Sequence, residues 1–198
     1  MALLDFRTHP IGKRALLTLL LTAVFLIISI PFHVMEIIPG FTDIRPVMML
    51  GPLYGVFFGI PGCLACGIGN LITDALSDSI RWSSIGGFIS NFVGPLLFWL
   101  VCAKMSREPF RLRTGRDYLR HILLIVISAV LEAMIITPMV YAFYPDVDYM
   151  LFFLTVTMNG TVFPIVIGIP IIILMQEELG FKPLFNPFPR ITQKQSAA

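Results

Sequence analysis

Charge is what this chain has least of. Only 13% of its 198 residues are charged, against about 25% in an ordinary soluble domain, while 57% are hydrophobic. That imbalance excludes a typical soluble protein. Cysteine and histidine are equally scarce, three of each. Cys63 and Cys66 have a metal or redox spacing but lack a second ligand pair, and His9, His33 and His121 are scattered, so no disulfide scaffold and no metal site is expected. Phosphate-binding Gly-x-x-x-x-Gly-Lys-Ser/Thr, nucleophile Gly-x-Ser-x-Gly and zinc-type His-Glu-x-x-His patterns are all missing. An enzyme is therefore not expected, and neither is a cofactor. With a net charge of +2 and no basic module interleaved with aromatics, nucleic acid is not an expected partner either.

What is present is apolar sequence in long blocks, with a mean hydropathy of +0.86. The blocks read 15–32, 46–73, 82–103, 121–145 and 149–176, and only Glu132 carries a formal charge inside them. Several exceed the roughly 18 residues that mark a membrane span. The fold class is an all-α integral membrane protein, one membrane domain over residues 1–198 with no room for a separate ATPase. The first block is longer than a secretory signal core and ends in Pro31-Phe32-His33, so it is read as a span. Pro61-Gly62 divides the second block, because proline removes a helical hydrogen bond and glycine favours a stop. The result is six transmembrane helices near 15–32, 46–60, 62–77, 84–103, 120–142 and 150–175. Both termini then lie on one side with every Lys and Arg except Arg45 and Arg81, and the positive-inside rule makes that side cytoplasmic. A five-span reading separates the basic residues less well. Gly51, Gly55 and Gly59 recur at four-residue spacing, which suits either close packing within the chain or docking of a partner helix.

Polar groups within spans are costly and tend to face a bundle interior, so their depth is informative. At ~1.5 Å per residue, Asn70, Asn91, Glu132 and Asn159 fall in one layer of the outer half, ~10–15 Å down. That layer is the expected floor of a binding site, although interhelical hydrogen bonding would also account for the asparagines. Glu132 needs a partner or a proton. Above the layer the outer segments bring Phe41, Asp43, Arg45, Trp82 and Tyr149, groups suited to a small organic molecule.

Phe41-Thr-Asp-Ile-Arg-Pro-Val-Met-Met-Leu-Gly-Pro-Leu-Tyr-Gly-Val-Phe-Phe-Gly-Ile-Pro-Gly62, then Gly67-Ile-Gly-Asn-Leu-Ile-Thr-Asp74 and Gly86-Gly-Phe-Ile-Ser-Asn-Phe92, resemble the substrate-binding S components of energy-coupling factor (ECF) vitamin transporters. The resemblance implies high-affinity capture of a vitamin-like micronutrient at the outer face of a prokaryotic cell membrane. It implies partners too: a transmembrane coupling protein and two ATPase subunits, with the S component toppling in the lipid during transport. In that family the loop after the first span and the outer ends of spans four to six enclose the ligand, here Phe41 to Arg45 with Asn91, Glu132 and Asn159. Small residues on span one dock the coupling protein; here the row is Ala15, Leu19, Ala23, interrupted by Leu19. The motifs do not name the substrate. A self-sufficient transporter using Glu132 as a proton-linked carboxylate is the alternative function.

Overall fold

The computed structural model describes residues 11–32, 35–38, 41–77, 80–105 and 111–181. Helix α1 (Ile11–Ser29) is followed by a two-stranded ribbon, β1 (Glu36–Ile38) and β2 (Thr42–Asp43). Then come α2 (Leu50–Phe58), entered through a 3-10 turn at Pro46–Met49, α3 (Ile60–Leu76), α4 (Ser83–Trp99), α5 (Gly115–Phe143) and α6 (Tyr149–Phe163). A widened π-helical turn at Pro164–Gly168 carries α6 into α7 (Ile169–Ile173), so the two form one continuous rod. Four stretches, Ile11–Phe32, Ser83–Cys102, Gly115–Phe143 and Tyr149–Glu178, have the length and apolarity to cross a membrane. Pro46–Phe58 and Ile60–Leu76 are apolar but shorter, ~20 and ~26 Å against a hydrocarbon core of ~30 Å.

Two expectations need correction. The fold is not purely α: the ribbon pairs Glu36 with Asp43 and Ile38 with Thr42 in antiparallel register, with an irregularity between. The reversal between α2 and α3 is at Gly59, not at Pro61-Gly62. Gly59 has φ 57° and ψ −136°, a conformation that a Cβ disfavours strongly. Pro61 sits instead in the first turn of α3, where its missing N–H removes no hydrogen bond. Gly62 lies against Tyr54, and a Cβ there would come within 2.6 Å of the Tyr54 carbonyl oxygen. In a straight helix those residues would be ~12 Å apart, so the chain folds back sharply.

Tight packing within the chain accounts for Gly51 and Gly55 of the glycine row. A Cβ on Gly55 would collide with the Pro95 carbonyl of α4, and Gly51 also faces Pro95. On α1, Leu17, Leu21, Thr22, Phe25 and Ser29 are buried, a stripe at helical spacing that turns toward α3. Phe25 meets Gly69 there, and the Tyr54 hydroxyl donates to the Leu21 carbonyl at 2.9 Å. The capping box at Thr114 and Asp117 starts α5. The Thr114 backbone N–H and hydroxyl donate to the Asp117 carboxylate at 2.9 and 2.8 Å.

Apolar side chains gather in two clusters. The larger one joins α1, α2, α4, α5 and α7 through Phe25, Phe57, Phe98, Ile125 and Ile172. The smaller one, Val140, Val147 and Phe152 with Ile38 and Phe41 against them, seats the ribbon on the α5–α6 junction. The chain thus has a ribbon pole, with the α3–α4 and α5–α6 junctions, and an opposite pole, where Phe58 touches Phe181 beside the Gly59 turn.

Candidate binding site

The segment that follows β2 turns Arg45 inward at the ribbon pole. Its guanidinium donates to Asn70 Oδ1 on α3 at 2.7 Å and pairs with Asp43 Oδ1 at 3.2 Å, and its side chain is only 18% exposed. Asn159 on α6 holds the same segment at two points. Its Oδ1 accepts from the Arg45 backbone N–H at 3.1 Å, and its Nδ2 donates to the Asp43 carbonyl at 2.8 Å. This pairing places the loop in a fixed register, because leaving either backbone group unmatched in a buried place is unfavourable.

Around Arg45 lies a cavity of about 50 Å³, lined also by Phe41, Thr42, Asp43, Asn70 and Asp74, by Arg81, Ser83, Ser84 and Gly87 from the start of α4, and by Ile136, Val140 and Phe152. Gly87 leaves room for Asn70: a Cβ there would lie 2.6 Å from Asn70 Nδ2. Arg81 and two aromatic rings lie beside the cavity. The Arg81 guanidinium is 4.5 Å from the Phe41 ring centre and 5.3 Å from that of Tyr144, and the two rings meet edge to face at 5.1 Å. The α4 start is held by Ser84 Oγ, which accepts from the Arg81 N–H at 3.1 Å. Pockets for small organic ligands usually span ~300–1,000 Å³, so in this conformation the loop is packed into its own cavity.

A second void of about 10 Å³ lies one helical turn deeper, lined by Asn91, Ser128, Glu132 and Gly160 together with Pro52, Pro95 and Pro164. Glu132 is 7% exposed and accepts from Ser128 Oγ at 3.0 Å. Its carboxylate occupies the space that a Cβ on Gly94 would fill. Each proline removes the N–H that would bond the carbonyl four residues earlier. The residues four earlier, Met48, Asn91 and Gly160, line the same void. The Asn91 side chain donates back to the Gly87 carbonyl at 2.9 Å, tying the lower void to the upper cavity along one turn of α4.

The structure therefore divides the expected polar layer into two levels. Asn70 and Asn159 meet the loop residues Asp43 and Arg45 above, while Asn91 and Glu132 lie beneath. Phe41 lines the upper cavity. Trp82 is 68% exposed, and Tyr149 is exposed against Tyr141 at 5.6 Å; neither lines either void. Ala15, Leu19 and Ala23 are exposed along α1. Sequence reasoning did not assign Arg81, Asp74, Ser83 or Ser84 to the site. The Ser-Ser pair opening an apolar helix was the available signal, since hydroxyls at helix starts accept backbone N–H bonds.

A family model described as QueT transporter matches residues 16–177. No curated protein matches the chain, and no solved structure does.

Proposed function

The chain belongs to the QueT transporter family, and from that premise we propose that it is the substrate-capture subunit of an ECF-type transporter whose cargo is a queuosine precursor. Membership makes it a membrane transporter. The finer assignment rests on one observation above all: the polar cavity lined by Asp43, Arg45, Asn70 and Asp74 lies at the pole where, among the described residues, the basic ones are Arg45 and Arg81. By the positive-inside rule that pole faces out of the cell, so the cavity takes its ligand from outside. In this reading all six helical segments cross the membrane, both termini are cytoplasmic, and the membrane is the prokaryotic plasma membrane. Phe41, Asp43, Arg45 and Asn70 contribute to capture in the upper cavity, Asn159 holds the loop, and Asn91 and Glu132 supply the floor. The coupling protein docks along α1, where Ala15, Leu19 and Ala23 are exposed, and two ATPase subunits drive release inward.

The test is reconstitution. The purified chain in proteoliposomes is expected to bind one small heterocycle and to accumulate it only when the coupling protein, both ATPases and ATP are supplied. Uptake by the chain alone that collapses with the proton gradient would replace this reading with the secondary-transporter alternative, in which the buried Glu132 carries the proton.

A further inference from the structure

Two buried side-chain oxygens at the lower void have no donor among the described residues. Glu132 and Asn91 are 7% and 5% exposed, and both line the void together with Ser128. Ser128 Oγ donates to Glu132 Oε1 at 3.0 Å, and no described residue donates to Glu132 Oε2. The Asn91 amide is likewise half used. Its Nδ2 donates to the Gly87 carbonyl at 2.9 Å, while its Oδ1 accepts from no described residue. A buried carboxylate needs a cation or a donor beside it. Among the described residues none that lines the void is basic, and Arg45 is engaged with Asp43 and Asn70 in the upper cavity.

We propose that Glu132, Ser128 and Asn91 form a subsite for an ammonium group, the cationic end of a cargo whose planar ring sits in the upper cavity. The inference deepens the capture reading above and rests on it for the identity of the ring. A void of about 10 Å³ is at the lower limit for one water-sized group, and an ammonium head is of that size. It brings three N–H donors to three side chains that can accept, and its charge matches the single carboxylate. A divalent metal asks for about six oxygens, twice what these side chains offer from their three positions. The approach is set by α4. Gly87 lines the upper cavity and Asn91 the void, four residues or ~6 Å apart along the helix axis. The void also meets Phe25, Val47 and Phe98 of the larger apolar cluster, so its polar neighbour is the upper cavity. A ring above with an ammonium on a short arm therefore spans the two levels. Among queuosine precursors, 7-aminomethyl-7-deazaguanine has this form, and 7-cyano-7-deazaguanine has the same ring with an uncharged arm.

Two arms of one experiment separate this subsite from the cargo assignment, both with the full chain in lipid nanodiscs. The first compares methylammonium chloride at about 50 mM with equal concentrations of sodium chloride and tetramethylammonium chloride. Methylammonium is expected to raise the melting temperature by at least about 1 °C over both, Glu132→Gln to abolish that rise and Ser128→Ala to reduce it. No rise, or a rise undiminished by Glu132→Gln, overturns the subsite. An equal rise with sodium makes the void an inorganic-cation site and overturns it as well. In the second arm the two heterocycles are titrated by calorimetry. The unaltered chain is expected to prefer the aminomethyl compound by at least about tenfold, and Glu132→Gln to reduce that preference to within about threefold. If Glu132→Gln does not fold, Ser128→Ala decides, with the preference expected to fall at least about threefold. Equal affinity for both compounds in the unaltered chain, or a preference that survives these changes, overturns the subsite and leaves the capture reading in place. If methylammonium acts as expected while neither heterocycle binds, the subsite stands and the queuosine-precursor assignment fails.

Discussion

Two side chains illustrate how single residues set the site. Gly94 has no Cβ, and the Glu132 carboxylate fills the space that one would occupy. Alanine there would drive Glu132 off Ser128 and overpack the α4–α5 contact, an effect of about 1–3 kcal/mol. Because the strain comes from one pair, it should not add to removal of the carboxylate. Denaturation of Gly94→Ala in mild detergent is expected to show the full loss, and the same change in a Glu132→Ala background only a small part of it. Equal losses in both backgrounds would mean that Gly94 packs against something else. Arg81 acts on the outside of the cavity. Stacked over Phe41 and Tyr144, it joins the loop to the α3–α4 and α5–α6 junctions. At about 0.5–1 kcal/mol for a partly exposed cation–π contact, Arg81→Gln should let the loop open about two- to fivefold more often. Faster deuterium exchange at residues 42–45 would register this, whereas Trp82→Ala, at an exposed position, should leave exchange unchanged.

At the scale of elements, the decisive feature is the reversal between α2 and α3. Gly59 alone adopts a positive φ there, so Gly59→Ala is expected to destabilise the chain by about 1–3 kcal/mol. Pro61→Ala should lose less than about 1 kcal/mol, since proline in a first turn chiefly restricts the unfolded chain. The opposite ranking in a thermal unfolding series would return the turn to Pro61-Gly62. The dipeptide signals a break correctly but leaves its place ambiguous, because proline is tolerated at a helix start as readily as it stops a helix. The long helices were legible for a simpler reason: uninterrupted apolar blocks admit few other structures in lipid. The ribbon was not legible. Glu36–Ile38 and Thr42–Asp43 are too short to show alternation, and they are held by contacts with Tyr144 and Asn159 from more than a hundred residues away. For the same reason the spacing could place Asn70 and Asn159 at related depths without revealing that both would grip one loop. Arg45 stands outside every apolar block in sequence, and only the fold turns it inward.

For the whole molecule, charge sets the expectation for orientation. The described basic residues at the pole opposite the ribbon are Lys13, Arg14, Lys104, Arg111, Arg113, Arg116 and Arg120, against Arg45 and Arg81 at the ribbon pole. Arg45 is engaged with Asp43 and Asn70 and Arg81 with aromatic rings, so the ribbon pole presents little free positive charge. Anionic lipid and the translocation machinery favour keeping the more basic pole in the cytoplasm. Even so, α2 and α3 are short for a full crossing, and a crossing by them would require the bilayer to thin or the helices to be sheltered by their neighbours. Orientation can be read directly in a background with the three native cysteines replaced. Arg116 and Asp146 are both exposed and sit at opposite poles. Arg116→Cys is expected to react with a membrane-impermeant maleimide only after the cells are permeabilised, and Asp146→Cys to react in intact cells. The reversed pattern would put the cavity on the cytoplasmic side, where it could not capture a nutrient from outside. Labelling of both positions in intact cells would mean that the number of crossings between them is even, as in a bundle where α5 does not span.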